Sequence, residues 1–460
     1  MASTNKPARS AWSGKWAFIL AAAASAVGLG NMWRFPYLAA KYGGGTFLIT
    51  YLLLVFTFGV SLLLLETAFG RLTGQSAIGA FKQFGKKYAF IGVLASAVPF
   101  IITPYYCIIG GWVTKYTAAY LVEGPAALAD GGNFFTGFIT SDVESFLWML
   151  VFMAIVFAVV SLGVKGGIEK ANLFMMPALI VMAVGIAVYT LTMPGALDGA
   201  LYYLVPDFSK FSPELVIGAL GQMFYSLSLA MGIMITYGSY LDRKSSLTQS
   251  VVRIGGFDVG VSFLAGLMIV PAAFVAMGSG EAVAANSGPS LMFVTLPAVF
   301  ADMGGAATVI GFLFFLLVLF AALTSAISLT ETCVSIVQDG AGWSRKKSLL
   351  VIVAVVVVSG VFVNLGYNGL SFIEPLGAGS SLLDFFDFLS NSVIMPIVAL
   401  LTCVFVGWVV KPTLIVKEVE LSGPFRMKRP WTVMIKYVAP VLVVVILVAY
   451  VAQTFGIISF

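Results

Sequence analysis

Seven residues, Ser25-Ala26-Val27-Gly28-Leu29-Gly30-Asn31, place two glycines, a serine and an asparagine inside an otherwise apolar run. Glycine weakens a helix by about 1 kcal/mol relative to alanine, so the run is predicted to unwind there. An unwound turn within hydrocarbon leaves carbonyls unpaired, which is tolerated only where they line a cavity or hold a cation. The sixth apolar run repeats the pattern at Ser226-Leu227-Ser228-Leu229-Ala230-Met231-Gly232. Two discontinuous helices at corresponding positions of successive halves point to a transporter built of inverted repeats, with solute and ions at the membrane midplane. Taken singly, the same glycines also read as helix-packing residues; their pairing favours the breaks. Other chemistry is sparse. Histidine is absent and the cysteines are Cys107, Cys333 and Cys403 alone, which removes the usual zinc, haem and thiol-catalysis sites, so no enzyme is expected. A channel would need a continuous polar stripe or a charged ring, whereas the polar atoms here cluster centrally.

The elements that must carry these groups follow from composition. Of 460 residues, 60% are hydrophobic, 14% aromatic and 10% charged, with a mean hydropathy of +1.02; a soluble domain carries about 25% charged residues. The apolar stretches have the length of membrane helices and lack the short alternating pattern of a barrel. An all-α membrane protein with eleven spans is predicted, near 16–37, 46–69, 88–121, 146–163, 170–192, 214–240, 252–277, 306–337, 348–365, 382–410 and 433–458. Residues 16–192 and 214–410 form two inverted five-helix repeats with discontinuous first and sixth helices, and 433–458 is an additional helix, all within one transporter domain. Basic residues concentrate in the N-terminal tail and the connectors at 70–87, 164–170, 241–253, 338–347 and 411–436, which are therefore expected to face the cytoplasm. The opposite connectors hold acids such as Glu123, Asp130, Asp142, Glu281 and Glu374. The N-terminus is expected inside and the C-terminus outside, in a multi-pass cell-membrane protein, and the net charge of +5 reflects orientation rather than nucleic-acid binding. No cleavable signal is expected, because the first apolar run continues past a signal-peptide core. No Asn-x-Ser/Thr sequon occurs, which favours a prokaryotic source. The stretch Gly288 to Met303 is predicted to be a short helix pair dipping into the outer vestibule.

The segment Gly28-Leu29-Gly30-Asn31-Met32-Trp33-Arg34-Phe35-Pro36-Tyr37, followed by Gly43-Gly44-Gly45-Thr46-Phe47, resembles the first-helix signature of the neurotransmitter:sodium symporter family. The likeness continues through Glu66-Thr67-Ala68-Phe69-Gly70-Arg71, Tyr105-Tyr106, the run from Gly221 to Leu229, Ile235 to Tyr240, Thr295-Leu296-Pro297 and Ala322-Leu323-Thr324-Ser325. It covers essentially the whole chain, and the ordered set is specific where each piece alone is weak. Many members have twelve helices; the eleven read here resemble shorter bacterial members that carry hydrophobic amino acids on the leucine-transporter fold.

The resemblance implies two sodium sites, and sodium as a hard cation wants oxygen ligands. The first would use the Ala26 carbonyl, the Asn31 side chain, the Ser226 carbonyl and hydroxyl, Asp258 and the substrate carboxylate. The second would use the carbonyls of Ala24, Val27 and Ala321 with the hydroxyls of Thr324 and Ser325. By itself an adjacent Thr-Ser reads more readily as a pair bonded back to its own helix. A zwitterionic amino acid would be held by the Leu29 and Gly30 amides and the Tyr106 hydroxyl at one end, and at the other by the carbonyls of Ala26, Tyr225 and Ser226 with the Ser228 hydroxyl. Ser25, Ile102, Ile109, Tyr225, Met231, Ser325 and Leu329 would surround its side chain. The implied outer gate is Arg34 with Asp387, Asp384 being the rival acid, under a lid of Tyr106 and Tyr225; the implied inner closure joins Arg9, Trp12, Tyr240 and Asp339. Glu66 reads as support for an unwound helix, and Glu331 is unassigned. Asp258 lies where the family commonly has a sodium-binding amide, implying coupling without chloride, although Ser262 could be a chloride-type hydroxyl and Asp258 also reads as a helix cap. The expected activity is sodium-coupled symport of a hydrophobic or aromatic L-amino acid; the same architecture carrying a small amine or osmolyte is the alternative.

Overall fold

The computed structural model describes residues 11–141, 143–278 and 289–458. Among these the chain is helical apart from turns and one isolated bridge between Gly44 and Pro206. Among the described residues nine helices are long and apolar enough to cross a membrane, and ten when the bent pair Lys15–Ala26 and Gly30–Lys41 is one span. The expected span at 214–240 divides into Pro213–Ser226 and Ile233–Gly238, each too short to cross alone. The remaining spans fall where the hydropathy places them, with ends displaced by a few residues. The longest, Gly304–Ala341, extends past its apolar stretch at the basic-loop end.

Both predicted breaks are present. The first helix bends by 55° at residues 27–29. In the second, Ser228, Ala230 and Gly232 have φ of 52°, 60° and 71°, alternating with ordinary backbone so that no helical turn can form. Ser228 and Ala230 are side-chain-bearing residues in the left-handed region, which costs each roughly 1–2 kcal/mol. The strain persists only because neighbours hold it, and the Glu66 carboxylate does so by accepting the Ala230 amide at 2.7 Å.

The second half of that broken helix lies close against Gly45–Thr73. A Cβ at Gly70 would lie 1.9 Å from the Ile235 carbonyl oxygen, and one at Gly238 would lie 2.3 Å from that of Thr67. The backbones touch because neither residue has a side chain, as small residues permit in membranes. This contact brings Glu66 to the unwound segment.

The stretch expected as a helix pair at Gly288–Met303 is corrected: in its described part it is one helical run, Leu291–Ala301. Phe293 stacks on Phe135 with centroids 5.1 Å apart, and its carbonyl accepts Tyr116 Oη at 2.8 Å. Pro297 lies inside this run and, having no N–H, cannot donate to the Phe293 carbonyl four residues earlier, which accepts from Tyr116 Oη instead.

Gly70→Val should lower the stability of detergent-purified protein by about 1–3 kcal/mol, the ordinary cost of overpacking. Gly132→Ala, with nothing within 4 Å of its added carbon, should leave the thermal unfolding midpoint unchanged; a similar drop in both would remove the close crossing as the cause.

Candidate functional site

The two breaks face each other across a small cavity lined by Ser25, Ala26, Gly28, Leu29, Gly30, Asn31, Ile102, Tyr106, Tyr225, Ser226, Ser228, Met231, Ile233, Ser325 and Leu329. Of the residues proposed to surround a substrate, Ile109 alone falls elsewhere. It lines a second, larger cavity together with Leu29, Trp33, Arg34, Tyr225, Asp387 and Tyr450. Leu29 and Tyr225 border both cavities, so they form the partition between them. Ile109 lies about two turns along its helix from Ile102, which carries it past that partition.

The backbone freed at the breaks is paired by side chains, one from the same span and the others from other spans. The Gly28 amide donates to Asn31 Oδ1 at 2.9 Å and the Leu29 amide to Tyr106 Oη at 3.4 Å. Gln222 Nε2 donates to the Gly30 carbonyl at 3.1 Å. Ser325 Oγ donates to the carbonyls of Ser25 and Val27, each at 3.3 Å, and Ser228 Oγ to that of Ser25 at 3.0 Å.

One wall holds a polar cluster around Asp258. Its Oδ1 accepts from Asn31 Nδ2 at 2.9 Å and Ser226 Oγ at 2.5 Å; its Oδ2 accepts from Tyr51 Oη at 2.7 Å. Asn31 Nδ2 also donates to Ser226 Oγ and Ser262 Oγ at 3.0 and 2.8 Å. Asp258 is fully buried, in the interior of the helix Leu247–Met277, so the helix-cap reading fails. No cation pairs with it among the described residues, and all its donors are neutral. An ionised carboxylate held this way is costly without a counter-charge. Tyr51 and Gln222 were missed by sequence reasoning: the one signal was a polar group in an apolar span, which needs some buried partner, and nothing in the spacing names it.

On the far side of the first break, Ser325 reaches the carbonyl of Val27 as described, while Thr324 Oγ1 donates back to Phe320 and Ala321, both at 3.0 Å. The back-bonded reading thus holds for Thr324, while Ser325 crosses to the other helix. Ala24, Val27 and Ala321 are fully buried beside them.

The expected Arg34–Asp387 ion pair is not formed. Arg34 Nη2 donates to Tyr450 Oη at 2.9 Å, and Asp387 Oδ1 accepts from Tyr105 Oη at 3.1 Å and Asn391 Nδ2 at 2.6 Å. Each group has found neutral partners across an open cavity. Asp384 is exposed and caps its helix, accepting the Ser381 amide at 2.7 Å, so it does not replace Asp387.

The opposite end is sealed. Trp12 Nε1 donates to the Tyr237 carbonyl at 3.1 Å, its amide donates to the Tyr240 carbonyl at 3.2 Å, and its ring packs edge-on to Tyr237. The Ser13 amide donates to Glu169 at 3.1 Å. Asp339 accepts the Ser76 amide at 2.7 Å; Arg9 lies outside the described residues. Glu331 gains a role here: fully buried, it takes both Arg345 terminal nitrogens, at 3.0 and 2.5 Å, and Tyr240 Oη at 2.9 Å.

The sequence pattern of the Sodium:neurotransmitter symporter family matches residues 9–125 and 139–457. The chain is 34% identical over 467 residues to the uncharacterized sodium-dependent transporter YhdH of Bacillus subtilis (strain 168), spanning 100% of both. It is 35% identical over 458 residues to the uncharacterized sodium-dependent transporter MJ1319 of Methanocaldococcus jannaschii, covering 96% of this chain and 90% of that one. The crystal structure of MhsT in complex with L-phenylalanine is 33% identical, with a TM-score of 0.85 over 96% of this chain and 100% of that one.

Breaking the Glu331–Arg345 pair should cost about 3–5 kcal/mol when one partner is removed. Glu331→Ala and Arg345→Ala should each lower stability in a detergent unfolding assay, and the double variant should lose clearly less than their sum. Strict additivity would show that the two charges are not coupled.

Proposed function

The chain belongs to the sodium:neurotransmitter symporter family, and we propose that it is a sodium-coupled symporter for hydrophobic or aromatic L-amino acids, exposing one central site alternately to the two sides of the membrane. The observation that carries this reading is the fully buried Asp258 carboxylate, held only by neutral donors beside two unwound helices. A cation is what such a group lacks. Sodium would displace Asn31 Nδ2 from these acceptors and be held by the carboxylate, the Ser226 hydroxyl and carbonyl, the Ala26 carbonyl and, with its amide turned over, the Asn31 side-chain oxygen. A second sodium would take the carbonyls of Ala24, Val27 and Ala321 with the hydroxyls of Thr324 and Ser325. Both sets contain oxygen alone, which fits a hard cation.

The cavity between the two breaks would hold the substrate. Its polar groups lie at the breaks, and Ile102, Met231, Ile233 and Leu329 supply apolar surface. Leu29 and Gly30 amides with the Tyr106 hydroxyl suit a carboxylate. The carbonyls of Ala26, Tyr225 and Ser226 with the Ser228 hydroxyl suit an ammonium. Binding both ends offsets the desolvation of a zwitterion. The L-phenylalanine in the similar MhsT structure supports an apolar side chain.

Eleven spans follow if Pro213–Ser226 and Ile233–Gly238 count as one broken helix beside the ten. Repeats at 16–192 and 214–410 would then bring the two broken helices together at the centre, with the N-terminus cytoplasmic and the C-terminus outside. The larger cavity lies on the side away from the basic loops, which supports an outward-facing arrangement closed towards the cytoplasm.

Uptake into proteoliposomes should require an inward sodium gradient. Asn31→Ala and Thr324→Val should weaken sodium and substrate affinity together, because the coupling is reciprocal. Wild-type uptake at full rate in potassium-only medium would defeat the proposal. In competition, leucine- or phenylalanine-like ligands should displace substrate, and lysine or aspartate should not, since the apolar wall offers no counter-charge.

Transport should not need chloride. An ionised Asp258 next to sodium supplies negative charge permanently, and an added anion about 4 Å away would be repelled by roughly 4 kcal/mol at an effective dielectric near 20. Replacing chloride by gluconate should leave wild-type uptake intact and make Asp258→Asn chloride-dependent, with Ser262 available to the anion. Wild-type uptake that collapses in gluconate would refute this.

A further inference from the structure

We infer that Tyr450, on the last helix Ala439–Thr454, holds Arg34 in the open arrangement of the outer cavity, so that closure over a bound substrate requires Arg34 to exchange Tyr450 for Asp387. The inference rests on the transport reading above and adds a positioning residue from outside both five-helix repeats.

Three observations carry it. Arg34 Nη2 donates to Tyr450 Oη at 2.9 Å, and the guanidinium carbon lies 5.7 Å from the centroid of the same ring, so one side chain supplies both an acceptor and a π-face. Asp387, on the same cavity, is meanwhile satisfied by Tyr105 and Asn391. The third observation is the space made for Tyr450. A Cβ at Gly221 would lie 1.7 Å from its hydroxyl oxygen and 2.5 Å from Cζ. Gly221 is inside the regular helix Pro213–Ser226 and has no positive φ, so the backbone does not require glycine there; the approach of Tyr450 does.

The open arrangement therefore has its own complete set of partners, Arg34 with Tyr450 and Asp387 with Tyr105 and Asn391. The closed arrangement would have the direct ion pair. Removing an acceptor from one set shifts the balance by the difference that acceptor makes between the two states. The position of Gly221 beside Gln222, which holds the Gly30 carbonyl, also ties the last helix to the first break through one turn of the sixth.

The test places a reporter thiol in the cavity with Ser392→Cys. The three native cysteines are fully or almost fully buried, so labelling by a charged thiosulfonate in sodium buffer reads the reporter. Tyr450→Phe keeps the ring and removes the hydroxyl, and Gly221→Ala displaces the ring from another helix. Each should slow labelling about tenfold, the scale of one hydrogen bond to a charged group. Asp387→Asn added to Tyr450→Phe should restore the rate to that of the parent or above, because the closed set has lost its carboxylate; a merely structural role for Tyr450 predicts no such rescue. Labelling at the parent rate in both single variants, or slowed labelling that Asp387→Asn does not restore, overturns the inference. The readout needs no transport. Absence of sodium-driven uptake would sink the functional reading alone, while intact uptake with unchanged labelling would sink the role of Tyr450 alone.

Discussion

A helix broken inside hydrocarbon must have its freed amides and carbonyls paired by something other than water. Here each break is completed by side chains drawn from distant parts of the chain: Glu66 for the Ala230 amide, Gln222 for the Gly30 carbonyl, and Ser325 for those of Ser25 and Val27. The breaks can exist only inside the assembled bundle. The same requirement explains the close crossing of Gly70 and Gly238, since Glu66 reaches the unwound segment only if the two backbones touch. Strain in Ser228 and Ala230, the bundle packing and the central cavity are thus consequences of one constraint.

The electrostatics of the two ends differ in kind. At the sealed end, Glu331 and Arg345 neutralise each other directly, and Tyr240 adds a hydrogen bond to the pair. At the open end, Arg34 and Asp387 stand apart on neutral partners. Between them Asp258 has no cationic partner among the described residues. Glu66 likewise has only the Ala230 amide among them, so both carboxylates at the breaks rest on neutral donors. An arrangement that pairs charges on one side, separates them on the other and keeps buried carboxylates on neutral donors in the middle matches a carrier better than a pore, because a pore needs polar continuity through both ends.

Several features could be read directly from composition and spacing. Helical spans follow from apolar length, because the bilayer sets how many residues a helix needs to cross. Both breaks follow from glycine and polar residues in apolar runs, a local property of the backbone. The substrate residues that the family likeness implied lie together on the cavity between the breaks, apart from Ile109, which its distance along the helix puts beyond the Leu29 and Tyr225 partition.

Other features were decided by the tertiary structure. Tyr51 and Gln222 are single polar residues in apolar spans, and their partners Asp258 and Gly30 are far away in sequence. Glu331 was a buried acid without a role until the next helix brought Arg345 to it. Arg34 was expected on Asp387 and is found on Tyr450, a choice between two partners of similar reach that depends on which set of contacts the whole bundle adopts. Local periodicity and backbone preference determine where a helix forms and where it fails, and both are written along the chain. Which distant side chain repairs the failure, and which partner a charge takes, depends on packing between helices, and that exists only once the chain has folded.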